Sequence, residues 1–189
     1  YLSDTVNRKV SFVVARTRQL SEDPRYTELA HDNGKLATSL AVLAAEYELD
    51  GLAWEQADGG LRSHALSEID FEAAGYGPGH TGPPLSATVD TGGIRIFCRV
   101  STQGGTALIG AVSIERSALE VLSTAMDADF DIIDKATGQK ARVLLTTRRD
   151  PFGRNLAGAF AVPLPEPGNG SSLGAPSTSR FRAPARERQ

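Results

Sequence analysis

Cysteine is almost missing from this sequence: Cys98 stands alone among 189 residues, so no internal disulfide can form and no cysteine-based zinc site is available. Histidine is nearly as scarce. His31, His64 and His80 are scattered with neither HxxxH nor HxH spacing, which argues against a metal centre. Long apolar runs are lacking too, and none approaches the roughly 18 residues that a membrane span requires. The N-terminus has no basic n-region followed by an apolar h-region, so no signal peptide is legible. It starts at Tyr1 rather than methionine, and the expectation is a piece excised from a longer protein.

The common catalytic signatures are missing as well. There is no GxxxxGK[ST] phosphate loop, no strand-linked GxGxxG, and no GxSxG elbow. Cys98 lies in the middle of a strand pattern rather than at an exposed helix start, which suits a core residue better than a nucleophile. The expectation is a protein that is not an enzyme and that carries no cofactor and no metal. Net charge is −3. Arg180, Arg182, Arg186 and Arg188 crowd the end of the chain against Glu187 alone, so the body is acidic, and nucleic acid is not the expected partner.

The stretch Gly92–Glu115 carries the clearest structural signal. Ile94, Ile96, Cys98 and Val100 alternate with Arg95, Phe97, Arg99 and Ser101, the period-2 pattern of a strand with two different faces. Gly104 and Gly105 follow where a hairpin loop needs positive φ, and Ala107–Ile114 returns as a second strand. Gly110 interrupts that strand, which marks a bulge or the close approach of another backbone. One face of the first strand is apolar. The other, with two arginines around a phenylalanine, either lines a polar site or faces water and pairs with Asp90 and Glu115.

Taken in order, Tyr1–Leu20 reads as a helix with Val6, Val10, Val13, Thr17 and Leu20 on one stripe. That stripe suits pairing either with a second copy or with the chain's own second helix. Asp23 and Pro24 cap and start the next helix, whose apolar stripe is Leu29, Leu36, Leu40, Leu43 and Tyr47, with Gly34 a soft point. Residues 52–65 read as a hairpin turning at Asp58-Gly59, and Ser67–Ala74 as a short helix. Gly75–Pro84 is too rich in glycine and proline for regular structure and is expected to be a loop over the sheet. Leu85–Val89 adds a strand. After the central hairpin come a helix at Arg116–Ala128 and strands at 130–134, 141–147 and 157–164, and then a linker-like tail without fold.

The element order, the segment DPRYTELAHDNGKLATSLAVLAAEYELDGLAW and the returning strand and helix in IGAVSIERSALEVL resemble the extracytoplasmic Cache sensor domains of bacterial receptors, the double-Cache type above all. The resemblance covers roughly residues 10 to 165. It implies an α+β fold in which long N-terminal helices pack on an antiparallel PAS-like (Cache) sheet, followed by a second, smaller α/β module. The corresponding division is 1–115 for the helical stalk and membrane-distal sensor module, 116–165 for the membrane-proximal module and 166–189 for a disordered tail. It also implies a periplasmic location, flanking membrane helices outside this sequence, a homodimer through the N-terminal helix, and an output through a chemoreceptor, kinase or cyclase. The alternatives are a cytosolic PAS- or GAF-like regulatory domain and a small enzyme with no visible motif.

In a PAS-like sheet one face packs on the helices and the other, under the 75–84 loop, encloses a ligand. The candidate ligand-binding residues are therefore Arg95, Phe97 and Arg99 from one strand face, with Trp54, Arg62 and Tyr76 nearby. Arginines beside aromatic rings suit a small carboxylate, the guanidinium holding the anion and the rings covering its apolar part.

Overall fold

The computed structural model describes residues 2–30, 33–65, 69–78, 82–134, 141–148 and 161–162. His31, His80, Ser67, the turn at 135–139, most of the strand expected at 157–164 and the tail lie outside the described residues. The architecture is α+β, with N-terminal helices and a five-stranded antiparallel sheet, an arrangement compatible with a PAS-like fold. Two compact units emerge. The first takes Ser3–Thr88 and Ile94–Ile114, and the second takes Val89–Gly93 and the described residues from Glu115 onward.

In the first unit, α1 (Leu2–Ser21) is followed by α2 (Pro24–Ala30) and α3 (Asn33–Glu46). The sequence pattern predicts one helix across α2 and α3, and residues 31 and 32 between them lie outside the described residues. Asp23 caps α2 as expected: its Oδ1 accepts the backbone N–H of Arg25 at 2.8 Å, satisfying one of the donors that a helix start leaves open. The same carboxylate accepts the Tyr47 hydroxyl from the end of α3 and an Arg25 Nη2 at 2.8 Å. These bonds, Arg25 first and Tyr47 second, hold the Asp23 carboxyl down at about 2, while burial pushes the Tyr47 phenol up.

A carboxyl depressed in the folded state stabilises the fold above its unfolded pKa, and that contribution is lost as pH falls through the folded one. The window here runs from about pH 4 down to about pH 2. Arg25 is 59% exposed, so solvent screens the pair and the contribution is small. Urea unfolding of the wild type and of Asp23→Asn should therefore converge across that window. Curves that stay parallel down to pH 2 would contradict the assignment.

The sheet order is β2-β1-β5-β4-β3, from β1 (Gly51–Glu55), β2 (Leu61–Ala65), β3 (Leu85–Asp90), β4 (Gly93–Ser101) and β5 (Ala107–Glu115). The β1–β2 hairpin turns at Asp58, whose Oδ1 accepts the Gly60 N–H at 2.9 Å, with Gly59 at φ 83°. The β4–β5 hairpin turns through Gly104 and Gly105 at φ 73° and 77°, the left-handed region that favours glycine.

Register decides what each face does. Leu52 lies opposite Gly110 and Trp54 opposite Leu108, and this face receives the helices. Val13, Thr17 and Leu20 of α1 and Leu36 of α3 are fully buried, and α3 packs on β1 and β2. The α1 stripe is thus spent from Val13 onward inside its own unit, leaving Val6 and Val10 half-buried.

Gly110 marks a close approach. A Cβ there would stand 2.1 Å from Thr17 Oγ1, and that hydroxyl is already committed to the Val13 carbonyl at 2.7 Å. Gly110→Ala is expected to lift α1 off the sheet at a cost of about 1–3 kcal/mol in urea unfolding. Unchanged stability would show that α1 is not seated on this residue.

The second unit holds α4 (Arg116–Met126) and a three-stranded sheet ordered β6-β7-β8, from β6 (Asp131–Asp134), β7 (Ala141–Thr146) and β8 (Ala161–Val162). Arg116 ties the start of α4 to β7 by donating to the Thr146 carbonyl at 3.1 Å. Asp131 staples β6 to β7, accepting from Thr146 Oγ1 at 2.7 Å and Arg148 Nη2 at 2.6 Å. Among the described residues no helix is long and apolar enough to cross a membrane.

Candidate functional site

The face of the five-stranded sheet away from the helices carries Ala53, Ile109 and Ala111, with Phe97 from β4. Small residues on β1 and β5 leave this surface low, and Phe71, Ala74 and Tyr76 fill the space above it. Residues 71–75 do this as successive turns rather than as the predicted helix, the Tyr76 N–H reaching the Phe71 carbonyl at 2.9 Å. Phe71 meets Phe97 edge-on at 5.6 Å, and Tyr76 meets it tilted at 5.9 Å, separations at which aromatic pairs attract.

Tyr76 is held at its far end. Its hydroxyl donates to the Pro83 carbonyl at 2.9 Å and lies 2.9 Å from Ser86 Oγ, so Ser86 is the donor in the second bond. Burial pushes the Tyr76 phenol up, with the Ser86 bond acting the other way. The backbone N–H of Arg99 binds the Pro84 carbonyl at 2.9 Å. The end of the loop is thereby joined to β4.

Arg99 sits at the polar rim. Its Nε and Nη2 reach the two oxygens of Glu55 at 2.8 and 3.3 Å, the two-point geometry that guanidinium and carboxylate favour. Both side chains are largely buried, at 15% and 10% exposure. Glu55 is on β1 and Arg99 on β4, with β5 between them. The pair bridges β5 where Glu55's cross-strand partner is Ala107, whose methyl group leaves the path open.

Of the six candidate residues, Arg95, Phe97 and Arg99 share this face by alternation and Tyr76 lies on it. Arg95 is buried, at 4% exposure. Trp54 and Arg62 are on the other face: they are cross-strand partners, and Trp54 pairs with Leu108 on the side that receives the helices. Trp54 is buried there and Arg62 is exposed. Their even positions on strands of period 2 put them on the face opposite Phe97. Arg99 takes Glu55 as its partner.

The sequence pattern places Phe71, Glu55 and Ser86 in local elements but not at this face. Glu55 could have been found, since it falls on the same side of β1 as Ala53. Cys98 is buried on the opposite face from Phe97, and burial pushes its thiol up, as a core residue requires. Among the described residues no group of three or more histidine, cysteine or acidic side chains could hold a metal ion.

A surface depression of about 350 Å³ borders the cluster, lined by Glu72, Gly75, Tyr76, Gly77 and Pro78. The groups gathered here are an aromatic wall, a guanidinium, a carboxylate and two hydroxyls. No protein-family model matches the chain, and the search of curated proteins gives no match.

Proposed function

We propose that this chain is the extracytoplasmic ligand-sensing domain of a bacterial signal-transduction receptor, with a Cache-like sheet and a second, smaller module. The observation that carries the reading is the sheet order β2-β1-β5-β4-β3 with helices seated on one face and a loop-borne aromatic cluster, rimmed by Arg99, on the other. Such a division leaves one face to transmit and one to receive. The N-terminal half of α1, with Val6 and Val10, is the part of the helix left for pairing with a second copy. The ligand on this reading is a small organic acid, and the carboxylate of Glu55 occupies the position that the acid would take on Arg99.

That competition gives the test. A thermal-shift screen of organic acids and amino acids on the 189-residue chain should yield a hit whose binding at 100 times its Kd adds about 2.7 kcal/mol. For a chain of this size that is a rise of roughly 5–10 °C. Glu55→Gln, which removes the competing carboxylate, should tighten binding, and Glu55→Gln/Arg99→Gln should abolish it. A hit that persists unchanged in the double variant places the site elsewhere. No hit across the panel removes the small organic acid as the ligand.

A further inference from the structure

We propose that β3 is an interface strand whose partner is β3 of a second copy of this chain, paired antiparallel about Ala87. The inference goes beyond the sensor reading and uses a different surface from the Val6 and Val10 end of α1. β3 is the last strand of its sheet, and among the described residues no strand pairs with its outer side. Such an edge presents a row of backbone donors and acceptors that another strand can take up. Proteins that keep an edge single commonly place a charge, a proline or a bulge in it. Leu85, Ser86, Ala87, Thr88 and Val89 include neither charge nor proline. Leu85 is 46% exposed and Ala87 is exposed as well, so the apolar side of the strand is left uncovered at this edge.

The bonds to β4 fix which backbone groups point outward. The Arg99 N–H donates to the Pro84 carbonyl at 2.9 Å, so Pro84, and with it Ser86, Thr88 and Asp90, turn their backbone groups toward β4. Leu85, Ala87 and Val89 turn theirs away. The N–H that Pro84 lacks is thus missing from the inner side, and the outer edge keeps its donors. A twofold axis at Ala87 sets Ala87 opposite its own copy and Leu85 opposite Val89, which pairs every outward N–H and C=O of the three residues. An axis at Ser86 or Thr88 leaves one of the three without a strand partner. Side chains favour the same register. Leu85 meets Val89 on one face, and Ser86 meets Thr88 on the other, where hydroxyls bond across strands. Asp90 falls opposite Pro84 rather than a second Asp90, so no like charges oppose. The strand is already fixed: Ser86 Oγ lies 2.9 Å from the Tyr76 hydroxyl, and Asp90 Oδ1 accepts the N–H groups of Gly92 and Gly93 at 2.7 and 3.0 Å. Pairing therefore costs little ordering.

A strand of six residues makes a small interface, below the roughly 1,200 Å² of stable complexes. The measurement is sedimentation equilibrium of the 189-residue chain up to roughly millimolar concentration, where the wild type should show a monomer–dimer equilibrium. Ala87→Lys, at an exposed position, sets two ammonium groups against each other at the axis and should weaken dimerisation at least about fivefold. Ala87→Pro removes the outward N–H without touching the bonds to β4 and should weaken it at least about tenfold. Val6→Lys, on α1, should leave the dimer as it is. Register is read by air oxidation of Ala87→Cys and Leu85→Cys, since the native Cys98 is buried. Ala87→Cys should give a disulfide-linked dimer. Leu85→Cys should not, because its own copy lies about 13 Å away along the strand, beyond disulfide reach. A wild type that stays monomeric, dimerisation unchanged in both Ala87 variants or lost in Val6→Lys, or equal cross-linking at the two positions overturns the proposal. The sensor reading fails separately: a β3 dimer with no hit in the acid screen keeps the interface and loses the ligand.

Discussion

Phe97→Ala is expected to destabilise the first unit by about 3–5 kcal/mol, the usual cost of deleting a buried phenylalanine ring. The reason is its position at the centre of the open face. Phe97 is fully buried and is the ring that both Phe71 and Tyr76 touch. Its removal takes away apolar burial and two aromatic contacts together, and neither neighbour can collapse freely into the void. Phe71 begins the turns held by the Asp70 carboxylate, which accepts the Ala73 N–H at 2.9 Å, and Tyr76 is fixed through Pro83 and Ser86. For a chain of this size the loss lowers Tm by roughly 10 °C or more. Phe97→Leu, which keeps most of the volume, should cost less than half as much. A Phe97→Ala variant within about 1 kcal/mol of wild type would mean that the cluster is not packed as described.

Glu55→Leu is the second large effect. It leaves the Arg99 guanidinium largely buried without its carboxylate, and breaking a buried pair by removing one partner costs about 3–5 kcal/mol. The double change Glu55→Leu/Arg99→Met removes both charges and replaces them with apolar groups of similar length, so stability should return to within about 1 kcal/mol of the wild type. The contrast between single and double variants in urea unfolding is the measurement. Additive losses would show that the two side chains do not depend on each other.

The outcome also says what the sequence could and could not reveal. The β4–β5 and β1–β2 hairpins were legible because their signals are local: alternating side chains on either side of Gly104-Gly105 and of Asp58-Gly59. Helix α1 was legible from one apolar stripe, but the stripe could not say what it packs on. That depended on Gly110, far along the chain, having no side chain where Thr17 arrives. Glu55 and Arg99 are 44 residues apart and meet only because β5 inserts between their strands with Ala107 at the crossing, a fact of topology that no local pattern carries. Tyr76 lines the depression and is also buried against Phe97. Its position follows from the fit of Gly82 against the ring and from the bonds to Pro83 and Ser86, all of which form only once the loop has folded back. Trp54 lies on the opposite face from Phe97, which strand parity carries and residue type does not.

The central claim is that the face of the sheet away from the helices is the receiving face. The most direct measurement is a backbone and indole NMR titration of the wild-type chain with the strongest hit from the acid screen. The account predicts that shifts concentrate at Ala53, Phe97, Ile109 and Ala111, while the indole signal of Trp54, the single tryptophan, stays still on the opposite face. Shifts confined to Trp54, Leu52 and Leu108, with the Phe97 cluster unmoved, would contradict it.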